Sequence, residues 1–301
     1  MRARLYFALA LATGCGRLDF ERHAGGDEAD ASVDSAPADA LGTCNSLAPF
    51  GTPRLISELS DPAALDGTLR LLPDELTGYM WSYTGRTDAD LFYVTRPRLD
   101  APFTMTRVTT ASTTSQELDP SISSDGSMLV FRRSGPGDEL YGAPVTSPGV
   151  LGTAVALASL NTGSVEAQGF LPIGRNELYF QSTRTMAGDI YMSTWSGGTT
   201  FSAPTVVPGL ATASVEGDPA VTPDGLTIYF RSDVPAARAG FNIYVATRQT
   251  TATAFGAPTI VPNVNTDADD GPSWISPDGC RLYLSSDVAG TNDIYVATRG
   301  L

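Results

Sequence analysis

The side chains best able to carry chemistry in this sequence are carboxylates. The 301 residues contain no lysine, so all nineteen basic residues are arginine, and the single histidine, His23, lies in a small-residue, acidic stretch near the start. Ser-His-Asp and Cys-His nucleophiles, lysine Schiff bases and histidine-ligated metals are therefore excluded from the remainder of the chain. The acids recur at one place, just ahead of a β-rich run: Glu117 and Asp119, Glu166, Glu216 and Asp218, Asp269 and Asp270. This recurrence has two readings. Either the acids cap turns and pair with arginines such as Arg231, or they ring a cation or polar-ligand site, since hard cations such as calcium prefer oxygen ligands.

What must position these acids is a repeated unit, cleanest at 216–248. Two β-rich runs, 220–222 and 227–232, are joined by Pro223-Asp224-Gly225, and Asp-Gly between such runs signals a tight antiparallel hairpin. A third strand follows at 242–247, and Phe255-Gly256-Ala257-Pro258 leads into a short fourth at 259–261. Ile228, Tyr229 and Phe230 are apolar without alternation, which suits a sheet covered on both faces. Aligning on the turn gives Asp74, Asp125, Gly174, Asp224 and Asp278, spaced by 51, 49, 50 and 54 residues. Four short strands repeated at this period predict an all-β fold, a β-propeller of four-stranded antiparallel blades. The acids before each first strand then fall around the central channel and form an acidic rim at one mouth.

The fourth-strand signature fixes the count at five blades. It occurs at Phe103, Leu151, Phe201 and Phe255, and also at Phe50-Gly51-Thr52-Pro53, ahead of the first full repeat, while the last repeat stops after its third strand. Residues 45–56 are thus expected to supply the outer strand of blade five and close the ring, removing two exposed flat faces. Cys44 stands just ahead of that strand and Cys280 follows the turn of blade five, at the same end of a four-stranded meander. In an oxidising compartment this predicts a Cys44–Cys280 disulfide; the alternative is two buried free thiols.

The start of the chain points to that compartment. Residues 1–14 carry Arg2 and Arg4 and a short apolar run, too short to span a bilayer, followed by Cys15. Leu11-Ala12-Thr13-Gly14-Cys15 resembles the bacterial lipoprotein signal, which implies lipid attachment at Cys15, an anchored mature protein of the cell envelope, periplasm or outer membrane; an ordinary signal peptide is the alternative. Residues 15–43 are rich in Ala, Asp, Ser and Gly and read as a disordered acidic tether, leaving 44–301 as the propeller. Removing residues 1–14, with two arginines and no acid, takes the net charge from −14 to −16. A chain this acidic repels phosphate backbones, which argues against nucleic acid and suits cations, carbohydrates or basic protein surfaces.

The units Pro272-Ser273-Trp274-Ile275-Ser276-Pro277-Asp278-Gly279 with Asp293-Ile294-Tyr295, and 219–244, resemble the WD40-like (PD40) repeat of the TolB-like family. The resemblance covers about 65–301, with Asp74-Glu75 and Gly174-Arg175 replacing Asp-Gly in blades one and three. It implies a propeller fold; propellers host many unrelated functions. Two functional classes follow. The first is a monomeric, noncatalytic binding or interaction module for an envelope protein or a carbohydrate, using the acidic mouth and the loops between second and third strands, 234–241 and 289–292. The second is a glycosidase, since Asp218-Pro219 resembles the Asp-Pro strand opening of five-bladed glycosidases that work with channel carboxylates. Asp119-Pro120 repeats the pair, so it behaves as a feature of the repeat.

Overall fold

The computed structural model describes residues 44–300, apart from 86, 186 and 235–239. The signal segment, Cys15, the tether with His23, and most of the 234–241 loop lie outside the described residues. Five small antiparallel sheets follow one another along the chain as the blades of a β-propeller. Blade 1 comprises Asp66–Leu71, Thr77–Ser82, Asp90–Thr95 and Thr104–Arg107. Blade 2 comprises Glu117–Ile122, Met128–Arg133, Glu139–Ser147 and Val155–Ala156, with Val150–Leu151 folding back on the long third strand. Blade 3 comprises Glu166–Phe170, Glu177–Thr185, Ala187–Thr194 and Thr205–Val206. Blade 4 comprises Glu216–Val221, Thr227–Ser232, Asn242–Thr247 and Thr259–Ile260.

Blade 5 has three strands from the end of the chain, Asp270–Ile275, Arg281–Ser286 and Asp293–Thr298, and takes its fourth, Arg54–Leu55, from the beginning. Arg54 lies opposite Val296 and Leu55 opposite Tyr295, with a further bridge between Phe50 and Arg299. Cys44 is bonded to Cys280 across the same seam. The expected closure is therefore present, strand and disulfide together.

Two local details differ from the sequence reading. Asp224-Gly225 does not make a two-residue hairpin: strands 216–221 and 227–232 are joined by a longer turn in which the Gly225 amide donates to the Thr222 carbonyl and Gly225 has φ 71°, a conformation glycine adopts without steric cost. The first strands also begin earlier than expected, so the recurrent acids, Asp269 apart, are strand residues instead of loop residues.

The non-alternating runs pack between blades. Ile228, Tyr229 and Phe230 are 0%, 4% and 1% exposed, so both faces of the strand are covered. A polar device is repeated inside these apolar interfaces. The arginine after the third strand stacks on the phenylalanine of its own fourth-strand signature, Arg96 on Phe103, Arg248 on Phe255 and Arg299 on Phe50. Each also donates to the hydroxyl of a tyrosine in the preceding blade: Arg96 to Tyr283, Arg248 to Tyr179 and Arg299 to Tyr229. The fourth-strand phenylalanine is thus the seat of an inter-blade cation.

The two departures from Asp-Gly serve the same interfaces. Glu75 occupies the glycine position of its turn with φ 60°, and its buried carboxylate accepts from Arg281 and from the Tyr283 hydroxyl at 3.0 Å. Arg175, in the place of Gly225, forks onto Glu177 at 2.8 and 2.6 Å, and Tyr179 donates to the same carboxylate. Burial pushes Glu177 up, but Arg175, Tyr179 and Arg248 outweigh it and hold the carboxyl below the ordinary 4.5. A depressed acid contributes stability that is present above its unfolded pKa and is lost as pH falls through the folded value. Glu177→Gln is accordingly expected to flatten the acid limb of stability below about pH 4.5, read as melting temperature against pH beside the parent protein.

Candidate functional site

Each first strand opens with an acid, and these openings serve one structural role. Glu117, Glu166, Glu216 and Asp270 are 0%, 0%, 0% and 1% exposed. Every one accepts from the amide and hydroxyl of the threonine four residues earlier: Thr113, Thr162, Thr212 and Thr266. The second strand supplies a further donor sixteen residues later, Arg133 to Glu117, Ser182 to Glu166 and Ser232 to Glu216. Burial pushes Glu216 and Asp270 above the usual carboxylate range, against the pull of these donors. Asp66 plays the same part in blade 1, accepting from the Asp61 amide. The carboxylates pin the loop from the previous blade to the new blade's first hairpin.

The seven candidate acids therefore do not form one rim. Four are these clamps, and Asp269 is exposed and accepts from the Phe241 amide at 2.9 Å, tying down the loop of blade 4. Their oxygens are turned into hydrogen bonds within the fold, away from a common point. Among the described residues there is no group of three or more His, Cys, Asp or Glu side chains arranged to hold a metal ion.

Asp119 and Asp218 belong to a second set, the third residue of each first strand. Thr68, Asp119, Gln168 and Asp218 all have positive φ, between 47° and 57°, and each sits where the ladder to the second strand slips by a bulge. For non-glycine residues this conformation is strained, and its fourfold recurrence shows that the surroundings enforce it. Those surroundings are the neighbouring blades. The Thr68 hydroxyl donates to Asp119 Oδ1 at 3.2 Å, the Gln168 amide donates to Asp119 Oδ2 at 3.3 Å, and the Asp218 amide donates to Gln168 Oε1 at 2.8 Å. A polar chain thus runs around the channel through blades 1 to 4. It stops at blade 5, where Pro272 fills the position and has no amide hydrogen.

A second ring from the second strands supports it. Trp81 Nε1 donates to the Thr68 hydroxyl at 3.1 Å, Arg132 Nε to Asp119 at 2.8 Å, and Arg231 Nε lies 3.2 Å from Asp218. Burial pushes the Asp218 carboxyl above its ordinary range, against the pull of Arg231. Trp81 is half-buried and meets Tyr83 edge-on at 6.1 Å, placing an aromatic surface beside the polar chain. Deeper in the channel, Arg70 is buried, lies over Phe170, and donates to the Pro219 and Ser273 carbonyls of blades 4 and 5. Burial lowers its pKa to about 10 despite Asp218 and Asp119. From blade 1 it reaches blades 4 and 5, so its side chain lies across the channel beneath the polar chain.

Of the sequence candidates, the structure brings Asp119 and Asp218 together at this mouth and disperses the rest. Trp81, Arg132, Gln168 and Arg70 were not singled out. Gln168 stands fifty residues before Asp218, so the repeat period alone would have found it.

No family model matches the sequence, and no curated protein matches it significantly. Solved structures do resemble the fold. A glycosyl hydrolase from Bacteroides ovatus is 11% identical with a TM-score of 0.55, covering 83% of this chain and 93% of that one. The α-L-arabinofuranosidase PaAbf62A from Podospora anserina is 12% identical with a TM-score of 0.52, covering 86% and 99%. TolB from Acinetobacter baumannii is 14% identical with a TM-score of 0.47, covering 84% of this chain, which spans 55% of that chain's length. At such identities the likeness to the first two shows the fold alone and leaves function to the site.

Proposed function

We propose that this chain is a noncatalytic binding module of the cell envelope, exported and anchored by lipid at Cys15, which takes a hydroxyl-rich ligand, a carbohydrate, at the channel mouth. The observation that carries this reading is the state of the two axial acids. Asp119 and Asp218 are each engaged by an arginine from the second strand, and Asp119 by two further donors from adjoining blades. Acids held this way are fixed acceptors, whereas glycoside hydrolysis requires one carboxyl to deliver a proton and a second to act as base or nucleophile. Fixed acceptors and donors beside the half-buried indole of Trp81 suit sugar hydroxyls and an apolar sugar face.

One observation favours the glycosidase reading: Asp218 is buried with its carboxyl held above the ordinary range, as a general acid requires, in a fold shared with glycosidases. The two separate in a single series. The propeller, 44–301, is screened on a glycan array and then assayed for turnover of the bound class together with aryl arabinosides and arabinan. Binding without turnover, weakened about tenfold or more by Trp81→Ala and by Asp218→Asn, is the expected result. Turnover abolished by Asp218→Asn replaces the reading with the enzymatic one, and the absence of any glycan binding returns the mouth to a protein partner.

A further inference from the structure

The arginine–tyrosine device is absent from two of the five blade interfaces, at the end of the propeller opposite the mouth described above: between blades 2 and 3 both members are replaced, by Val130 and Trp195, and between blades 1 and 2 only the arginine is. The equivalence is fixed by the backbone. The amides of Arg96, Arg248 and Arg299 each donate to the carbonyl just ahead of the second strand of their own blade, Leu76, Leu226 and Cys280, and in blade 2 the amide making that bond, to Ser127, belongs to Val145. The phenylalanine under each guanidinium is likewise replaced by Leu151, whose following residue, Gly152, makes the same bond to Pro144 that Gly256 makes to Thr247. Blade 1 nevertheless keeps its tyrosine. Tyr79 is the third residue of the second strand, as are Tyr179, Tyr229 and Tyr283.

With valine in place of arginine, the space beside Tyr79 is a cavity of about 300 Å³. Its walls include Leu72, Tyr93, Ile122, Val145 and Pro148, and Tyr93 meets Tyr79 edge-on at 5.4 Å. The three intact interfaces show what such a slot holds: a guanidinium whose Nη2 donates to the tyrosine hydroxyl at 2.9 to 3.3 Å while its face lies 4.2 to 4.4 Å from an aromatic ring. In the slot between blades 1 and 2, Tyr79 supplies the hydroxyl, which also takes a hydrogen bond from the Gly149 amide, and the ring is Tyr93, from the third strand of blade 1 and with Gly149 against one edge, in place of a fourth-strand phenylalanine. The carbonyl of Gly225 accepts from Arg248 Nε in blade 4, and Gly126 stands at the same turn position in blade 2 and lines the cavity. The net charge of −14 favours approach of a cationic partner.

We infer that this slot is a docking site for an arginine side chain presented by a basic protein partner, seated between blades 1 and 2 as Arg96, Arg248 and Arg299 are seated within the chain. It is independent of the reading of the channel mouth. Because the slot is built from the blade interface, it selects a planar guanidinium over an ammonium: the fork donates to the hydroxyl and the turn carbonyl together while its face stacks on Tyr93.

Agmatine, a four-carbon stem with a guanidinium at one end and an ammonium at the other, serves as the probe, with putrescine, an ammonium at both ends, and isoamylamine, an ammonium on a branched apolar tail, as controls, monitored by NMR shifts of Tyr79 and Tyr93 in the full propeller. Agmatine is expected to shift both tyrosines saturably and to bind at least about fivefold more tightly than either control, with Tyr79→Phe removing that preference. Val145→Arg, which fills the slot from within, is expected to abolish agmatine binding and to raise the melting temperature. Equal binding of agmatine and putrescine, tighter binding of isoamylamine, agmatine binding that survives Val145→Arg, or no shift of either tyrosine each overturns the inference.

Discussion

Replacing Cys44 and Cys280 with serine is expected to lower the thermal midpoint by roughly 10 °C or more, with opening of blade 5 ahead of the rest. The disulfide closes a sequence separation of 236 residues, one of the longest loops this chain can form. In the chain-entropy model such a crosslink removes on the order of 5 kcal/mol of unfolded-state freedom. The seam it secures is thin. The closing strand has two residues, Arg54–Leu55, supplemented by the amides of Asn45, Gly51 and Ile56 donating to Gly300, Thr298 and Ile294. Phe50 provides the apolar anchor, buried under Arg299 and edge-on to Tyr229 at 6.1 Å. Once the crosslink is cut, detaching this segment costs only those contacts and gains chain entropy, so opening becomes local. Hydrogen exchange in the double-serine variant is therefore expected to accelerate first at Gly51 and Ile56 and at their blade 5 neighbours. An unchanged midpoint with unchanged exchange there would show that the strand alone closes the ring. Phe50→Ala separates packing from the crosslink and is expected to cost about 3 to 5 kcal/mol with the disulfide intact.

Glu75→Ala is the second substitution with a large expected cost, about 3 to 5 kcal/mol in urea unfolding. The carboxylate is 3% exposed and lies between two blades, taking Arg281 and Tyr283 of blade 5, with Arg96 of its own blade 4.0 Å away. Its removal takes from Arg281 its bidentate acceptor, leaving only Asp278 at 3.2 Å, leaves the Tyr283 hydroxyl without an acceptor, and deprives Arg96 of its nearest counter-charge. Uncompensated buried charge makes breaking such a group far more costly than the net worth of the interaction. The backbone allows the two contributions to be separated. Glu75 has φ 60°, where a Cβ is disfavoured and glycine is not, so Glu75→Gly relieves strain while losing the same carboxylate. It is expected to be less destabilising than Glu75→Ala by about 1 kcal/mol. Equal costs for the two would mean that the turn is not strained, and a cost below about 1 kcal/mol for either would mean that Arg281 finds another acceptor.

Architecture was largely legible because it is written in repetition. Turns at spacings near fifty residues and a fourth-strand phenylalanine ahead of the first full blade are linear patterns, and they specified five blades and the closing strand. The cysteine pair followed, since strand order alone places Cys44 and Cys280 at one end of one sheet. The candidate site was legible only in part. The recurrent acids were visible, but not which of them face the channel. Alternation along a strand does not decide that here, because a bulge at the third residue of four first strands turns Asp119 and Asp218 toward the neighbouring blade while leaving Glu117 and Glu216 in the clamp. One signal was in the sequence and unused: a threonine stands four residues before each of Glu117, Glu166, Glu216 and Asp270, which marks those acids as clamps.

The sequence by itself thus determined the blade, its number, its closure and the residue types available for chemistry, because strand periodicity, turn composition and the absence of lysine are properties of neighbours along the chain. Tertiary structure alone decided the joining of Asp119 and Asp218 into one polar chain around the axis, the placing of Arg70 across the channel, and the interrupted arginine slot beside Tyr79. Each of these depends on contacts between residues one or more blades apart. The physical reason is that a buried charge takes its role from the partners that compensate it: Arg132 and Arg231 reach Asp119 and Asp218 within one blade, but Thr68 and Gln168 join them only once neighbouring blades are folded around one axis.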